Sequence, residues 1–295
     1  MKTLQITERR LASFDGTDLA YHVVGEGLPV LLCNGLGGSW VAWSHTIDFF
    51  KDRYRFISWD YRGMYRSGAP RDPAALRVVD HARDGLAVLA AEGVERAAFF
   101  GWSMGVQVAL EMFRAAPDRV AALTFLNGVA GAPFDSVLGF GVMGHVLPAV
   151  VRGIGAVPRV AEAVVSRLAG LPETVQWAKR LGVASHTLDE DIFHQLAASF
   201  RELDMATYMR ILEYLGEHDG WDVLDEIDVP TLVIAGGRDP LTPRAVAQRM
   251  AARIRGAELL IVPGATHYAA VEYPELINLR IDKFFRERGY APEPR

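Results

Sequence analysis

The chain has 295 residues, 50% of them hydrophobic, which is enough apolar surface to fill a sizeable core. Its 31 basic residues against 36 acidic ones leave a net charge of -5, so it has no basic field for a phosphate backbone and no nucleic-acid partner is expected. The single cysteine, Cys33, excludes an intrachain disulfide and a cysteine metal cluster, and its apolar surroundings predict a buried filler.

The first residues, MKTLQITERRLASFDG, carry no apolar signal-peptide core, and no charge-free run is long enough to span a bilayer, so a cytoplasmic, soluble protein is expected. Short apolar runs then alternate with amphipathic stretches. Strands are predicted at Leu19–Val24, Pro29–Asn34, Tyr54–Trp59, Ala97–Trp102 and Val120–Asn127, with helices at Trp40–Lys51, Val78–Glu92 and Met104–Ala116 between them. That alternation predicts an α/β protein with a mostly parallel central sheet flanked by helices.

From about Ala132 to Trp221 the strand signal vanishes into helical pieces punctuated by Gly and Pro. The uncharged run Val137–Val151 is too short and too rich in glycine for a spanning helix and is expected to pack against protein. Alternation then resumes: a strand at Pro230–Ala235, a helix at Pro243–Met250, a strand at Ala257–Val262 and a last helix at Glu272–Arg288. Residues 132–222 therefore read as a helical insertion into one core domain formed by 1–131 and 223–295.

The chemistry centres on AAFFGWSMGVQVALEMF, Ala97 to Phe113. Strand character ends at Gly101, while Val106, Ala109, Leu110 and Phe113 follow helical spacing, so Ser103 falls on the turn between them. Glycines two residues before and after the serine permit a tight, strained backbone that lifts its Oγ above the sheet edge. The Met104 amide then opens a helix, where it can donate to an oxyanion.

A hydroxyl needs a base and the base needs an orienting carboxylate. Of eight histidines, His267 stands in a turn after a strand, and Asp239 stands in the Gly/Pro turn after the preceding one. Ser103, Asp239 and His267 thus all follow strand carboxyl ends, the edge where open sheets build sites. The other seven histidines are expected to be structural or superficial. The glycine-rich turn Asn34–Gly38 is expected to supply a second donor, the Leu36 amide. It lacks the spacing of a phosphate-binding loop.

These motifs resemble the α/β-hydrolase superfamily over nearly the whole chain: GlyTrpSerMetGly at 101–105 as nucleophile elbow, Asp239 as acid, His267 as base and AsnGlyLeuGlyGly at 34–38 as oxyanion loop. AspTyrArgGlyMetTyrArgSer at 60–67 is similar to the family's strand-end turn, with Tyr65 where a second glycine is usual. Asn34 stands where many members have His, and Asn at that place is similar to what enol-lactonases of aromatic breakdown and some intracellular polyester depolymerases carry. The resemblance implies that the insertion caps Ser103 and that no metal or organic cofactor is needed. Serine at the nucleophile position disfavours epoxide hydrolases and haloalkane dehalogenases.

The expected activity is hydrolysis of a carboxylic ester or lactone with a hydrophobic group, because the insertion is rich in apolar residues; Trp102 and Asn34 are expected to face the pocket. Acyl transfer, perhydrolysis, C–C bond hydrolysis and aminopeptidase action use the same triad and stay open. So does a small-ligand receptor built on the same fold. Oligomeric state has no signature in the sequence.

Overall fold

The computed structural model describes residues 5–133, 151, 153, 154, 157, 159, 163, 167, 171 and 173–292. Eight strands form one sheet: β1 Thr7–Ala12, β2 Asp18–Val24, β3 Leu28–Cys33, β4 Tyr54–Trp59, β5 Ala97–Trp102, β6 Val120–Leu126, β7 Thr231–Gly236 and β8 Glu258–Val262. Their order is β1-β2-β4-β3-β5-β6-β7-β8. The pairs β1–β2 and β2–β4 are antiparallel and every other pair is parallel.

Both faces of this sheet are covered, which is why its inner strands read as continuous apolar runs. In β5, Phe99 belongs to the core on one face while Ala98 and Phe100 belong to the core on the other. The first face is packed by α2 (Val78–Ala91), α3 (Met104–Ala115) and α7 (Arg244–Arg253). The second is packed by α1 (Ser44–Phe50) and α9 (Pro274–Glu287), which buries Ile277, Ile281, Phe284 and Phe285 at helical spacing.

Between β6 and β7 the described residues contain α4 (Thr174–Arg180), α5 (Glu190–Ser199) and α6 (Met205–Glu217) and no strand. Asp189 starts α5 by accepting from the Asp191 and Ile192 amides, each at 3.1 Å, and Asp204 starts α6 in the same way. The run Val137–Val151 lies outside the described residues except at Val151. Among the described residues, no helix is long and apolar enough to cross a membrane.

Three features depart from the sequence expectations. Strand β1 was not expected, because TERRLA has no apolar alternation; it is an exposed edge strand joined to β2 by backbone pairing from Thr7↔Val23 to Ala12↔Asp18. Side chains reinforce it from outside, with Arg9 on Glu92 at 2.7 Å and Arg10 on Asp18. The expected last helix is α9, and what was not expected is a short helix before it, α8 (Ala269–Glu272), from which it is separated because Tyr273 leaves helical geometry before Pro274, a residue that fits a helix start and not its interior. The helix expected from Trp40 opens as a 3-10 turn, Trp40–Trp43, capped by Ser39, and becomes α-helical only at Ser44.

Candidate active site

Strand β5 ends at Trp102, α3 begins at Met104, and Ser103 between them has φ +55° and ψ -120°, a conformation that L-residues rarely adopt. The flanking glycines make this turn possible. A Cβ on Gly101 would lie 2.6 Å from the Gly105 carbonyl oxygen, and one on Gly105 would overlap the Cys33 carbonyl of β3. The Ser103 amide is anchored to the Leu126 carbonyl of β6 at 3.1 Å. The serine thus stands at the carboxyl edge of the sheet with its backbone fixed on both sides.

Asp239 follows β7 and is only 5% exposed. One carboxylate oxygen accepts from His267 Nδ1 at 2.9 Å, Asn127 Nδ2 at 2.8 Å and Thr242 Oγ1 at 2.5 Å; the other accepts from the Leu241 and Thr242 amides at 2.8 and 3.0 Å. Burial pushes this carboxyl upward, but His267 and the Thr242 hydrogen bonds outweigh it and hold it below the ordinary carboxylate range. It is an anion at neutral pH. The Nδ1 contact leaves Nε2 as the ring nitrogen of His267 free for proton transfer.

A cavity of about 310 Å³ joins Ser103 and His267. It is lined by Gly35, Leu36 and Trp102 and, from the segment between β6 and β7, by Phe200, Tyr208, Leu212 and Leu215. No Lys, Arg, Asp or Glu is among the described residues that line it. The turn carrying Leu36 is closed by the Gly38 amide on the Gly35 carbonyl at 2.9 Å. Among the described residues, neither the Leu36 nor the Met104 amide donates a backbone or side-chain hydrogen bond.

Trp102 lines the cavity and also spans it. Its indole N–H donates to the His267 carbonyl at 3.0 Å, and its ring lies against Gly35, where a Cβ would be 3.0 Å away. One residue therefore ties the nucleophile turn, the glycine turn and the histidine loop together.

Asn34 is not among the residues lining this cavity, contrary to the expectation. Its side-chain amide donates to Ser58 Oγ at 2.9 Å and to the Trp59 carbonyl at 3.3 Å, and its oxygen accepts from Trp43 Nε1 at 3.0 Å. The Tyr61 hydroxyl holds its main-chain carbonyl at 2.7 Å. Both ends of its side-chain amide and its main-chain carbonyl are engaged, so Asn34 is a strut for the start of the glycine turn.

Sequence reasoning missed Asn127, Thr242 and the insertion's wall residues. Asn127 has φ +46° and donates to both Asp239 and the Thr266 carbonyl, 2.8 and 3.0 Å away, so it holds the acid and the histidine loop to one side chain. An asparagine directly after a strand, a residue tolerant of left-handed backbone, was the available signal. Of the other histidines, His218 joins Gln107 and Glu111 on α3, His45 meets Asp189 at 3.0 Å, and His81 is buried against Tyr61. His145 lies outside the described residues. Among those described, no cluster of three or more His, Cys, Asp or Glu could hold a metal.

A family model for the alpha/beta hydrolase fold matches residues 29–274. RutD of Azorhizobium caulinodans, whose assignment to carbamate hydrolysis is itself provisional, is 31% identical over 261 residues, covering 88% of this chain and 92% of its own. The 3-oxoadipate enol-lactonase 2 of Acinetobacter baylyi is 28% identical, covering 90% and 91% of the two chains. The esterase EaEST from Exiguobacterium antarcticum superposes with a TM-score of 0.79 at 19% identity over 95% of this chain and all of that one, a likeness of fold.

Proposed function

The chain belongs to the α/β hydrolase family, and from that premise we propose that it hydrolyses a carboxylic ester or lactone bearing a neutral, hydrophobic group through an acyl-enzyme on Ser103. The observation that carries this reading is the His267–Asp239 contact of 2.9 Å beside a strained serine that lines the same apolar cavity as His267. His267 Nε2 takes the Ser103 proton as Oγ bonds to the substrate carbonyl carbon, and the Asp239 carboxylate stabilises the imidazolium. The Leu36 and Met104 amides receive the negative charge on the carbonyl oxygen. The imidazolium proton passes to the departing alkoxide as the C–O bond breaks; water, deprotonated by the same nitrogen, then releases the acid and regenerates Ser103.

The cavity lining favours a neutral ester or lactone over the carboxylate-bearing lactone implied by the name of one relative. A lactone of 3-oxoadipate retains a free carboxylate, and a buried anion needs a paired cation or several donors. Among the described lining residues there is no Lys or Arg to supply one. An apolar acyl or alcohol group gains from burial there.

The test is turnover of p-nitrophenyl butanoate and hexanoate, a neutral lactone, a carboxylate-bearing lactone and a carbamate. The neutral esters or lactone are expected to lead, and Ser103→Ala to remove roughly 10⁴-fold or more of kcat/KM. Equal rates in wild type and Ser103→Ala would refute the serine mechanism, and preference for the charged lactone or the carbamate would refute the substrate class.

A further inference from the structure

Tyr65 occupies a position where the turn it belongs to would be relaxed by glycine. Its φ is +49°, one of three positive values on non-glycine residues among those described, the others being Ser103 and Asn127. Such a backbone is unfavourable for an aromatic residue, and it persists only when surrounding contacts over-determine it. Those contacts are specific. The Tyr65 hydroxyl donates to the Gly37 carbonyl at 2.5 Å and meets Ser199 Oγ, the last residue of α5, at 3.2 Å.

The proton inventory fixes the directions. A phenol has one hydrogen, and the Gly37 carbonyl can only accept, so Tyr65 donates there. Ser199 is then the donor toward Tyr65, dividing its hydrogen between that oxygen and the Leu196 carbonyl at 2.8 Å. Burial pushes the Tyr65 phenol up to about 12, so the group keeps its proton through the neutral range. Gly37 itself is wedged on its other side. A Cβ there would lie 2.6 Å from Phe200 and 3.0 Å from Tyr208, and its φ is +70°.

Gly37 follows Leu36, so its carbonyl is held one residue beyond the amide assigned to the oxyanion. We propose that Tyr65 is a positioning residue that locks the Gly35–Gly38 turn, and with it the Leu36 amide, against Ser103, with the insertion sharing the lock through Ser199. The role of Leu36 rests on the hydrolase reading above; the mechanical lock does not.

Two readouts on the full-length chain separate these. In Tyr65→Phe, which keeps the ring, amide exchange at Gly38, the closing bond of the turn, is expected to accelerate about tenfold or more as the turn opens locally. The same variant is expected to lose kcat roughly tenfold to a hundredfold, less than outright removal of a donor, with KM changed by less than about twofold. Affinity for a trifluoromethyl ketone, which forms a tetrahedral adduct on the serine, should fall in parallel with kcat. Tyr65→Gly relieves the backbone and should show the same Gly38 exchange, and Ser199→Ala an intermediate one. Wild-type exchange at Gly38 in both Tyr65 variants would overturn the lock, whatever the enzyme's activity. Faster exchange with unchanged kcat and ketone affinity, in an enzyme that Ser103→Ala inactivates, would overturn the link to Leu36. If Ser103→Ala stays active, the hydrolase reading fails while the exchange result still decides the lock.

Discussion

His81 is fully buried against the Tyr61 ring, with centroids 4.7 Å apart. Burial first, and then the Arg62 charge, push its pKa down to about 3. Between that value and the unfolded value near 6.5, the unfolded chain binds a proton that the folded chain refuses, so acidification favours unfolding. The penalty grows by about 1.4 kcal/mol per pH unit below 6.5 and amounts to about 2 kcal/mol at pH 5. Urea unfolding of His81→Phe at pH 7 and pH 5 should therefore show a smaller loss than wild type, and an unchanged pH slope would contradict this account. At this scale the turns that carry Ser103, Asp239 and His267 were legible because the sequence of each announces it. Asn34 and Tyr65 were not, because their partners are Ser58 and Trp43 in one case and Gly37 and Ser199 in the other, brought close only by the fold.

The elements were read best where both faces are buried. Strands β3 to β7 declare themselves by predominantly apolar runs, interrupted in β4 by Arg55 and Ser58, whereas β1 is stabilised by backbone pairing and ion pairs that leave no hydrophobic period. The junction of β5 and α3 shows how tightly such elements can be fitted. Gly105 allows α3 to lie directly on the Cys33 carbonyl of β3, and an added methyl meets backbone that has no rotamer to yield. Gly105→Ala is expected to lower stability by about 3 kcal/mol, at the upper end for overpacking, read as a reduced urea midpoint with little change in slope. A variant as stable as wild type would show that the strand and helix can separate.

For the molecule as a whole, the carboxyl edge of the sheet carries Ser103, Asp239 and His267, while the segment between β6 and β7 carries Phe200, Tyr208, Leu212 and Leu215, which line the same cavity as Ser103 and His267. Leu212 is on α6 and lines the cavity together with Ser103 and His267. Leu212→Trp should shift the preferred ester to shorter chains by raising KM for long ones while leaving kcat for acetate esters near wild type. An unchanged chain-length profile would remove Leu212 from the substrate's path. The loss of strand pattern between β6 and β7 was legible in the sequence, but not which side chains there line the cavity, since several helical faces are apolar.

The insertion also leaves and rejoins the core at nearly one point, where the Gly220 amide donates to the Ala130 carbonyl at 2.8 Å. A segment whose two ends touch can be exchanged like a cassette, because replacing it does not require the strands on either side to move apart. Ser103 lies upstream of that neck, and Asp239 and His267 downstream. Exchanging the stretch between residues 130 and 220 is therefore expected to change the cavity wall while leaving Ser103, Asp239 and His267 where they are.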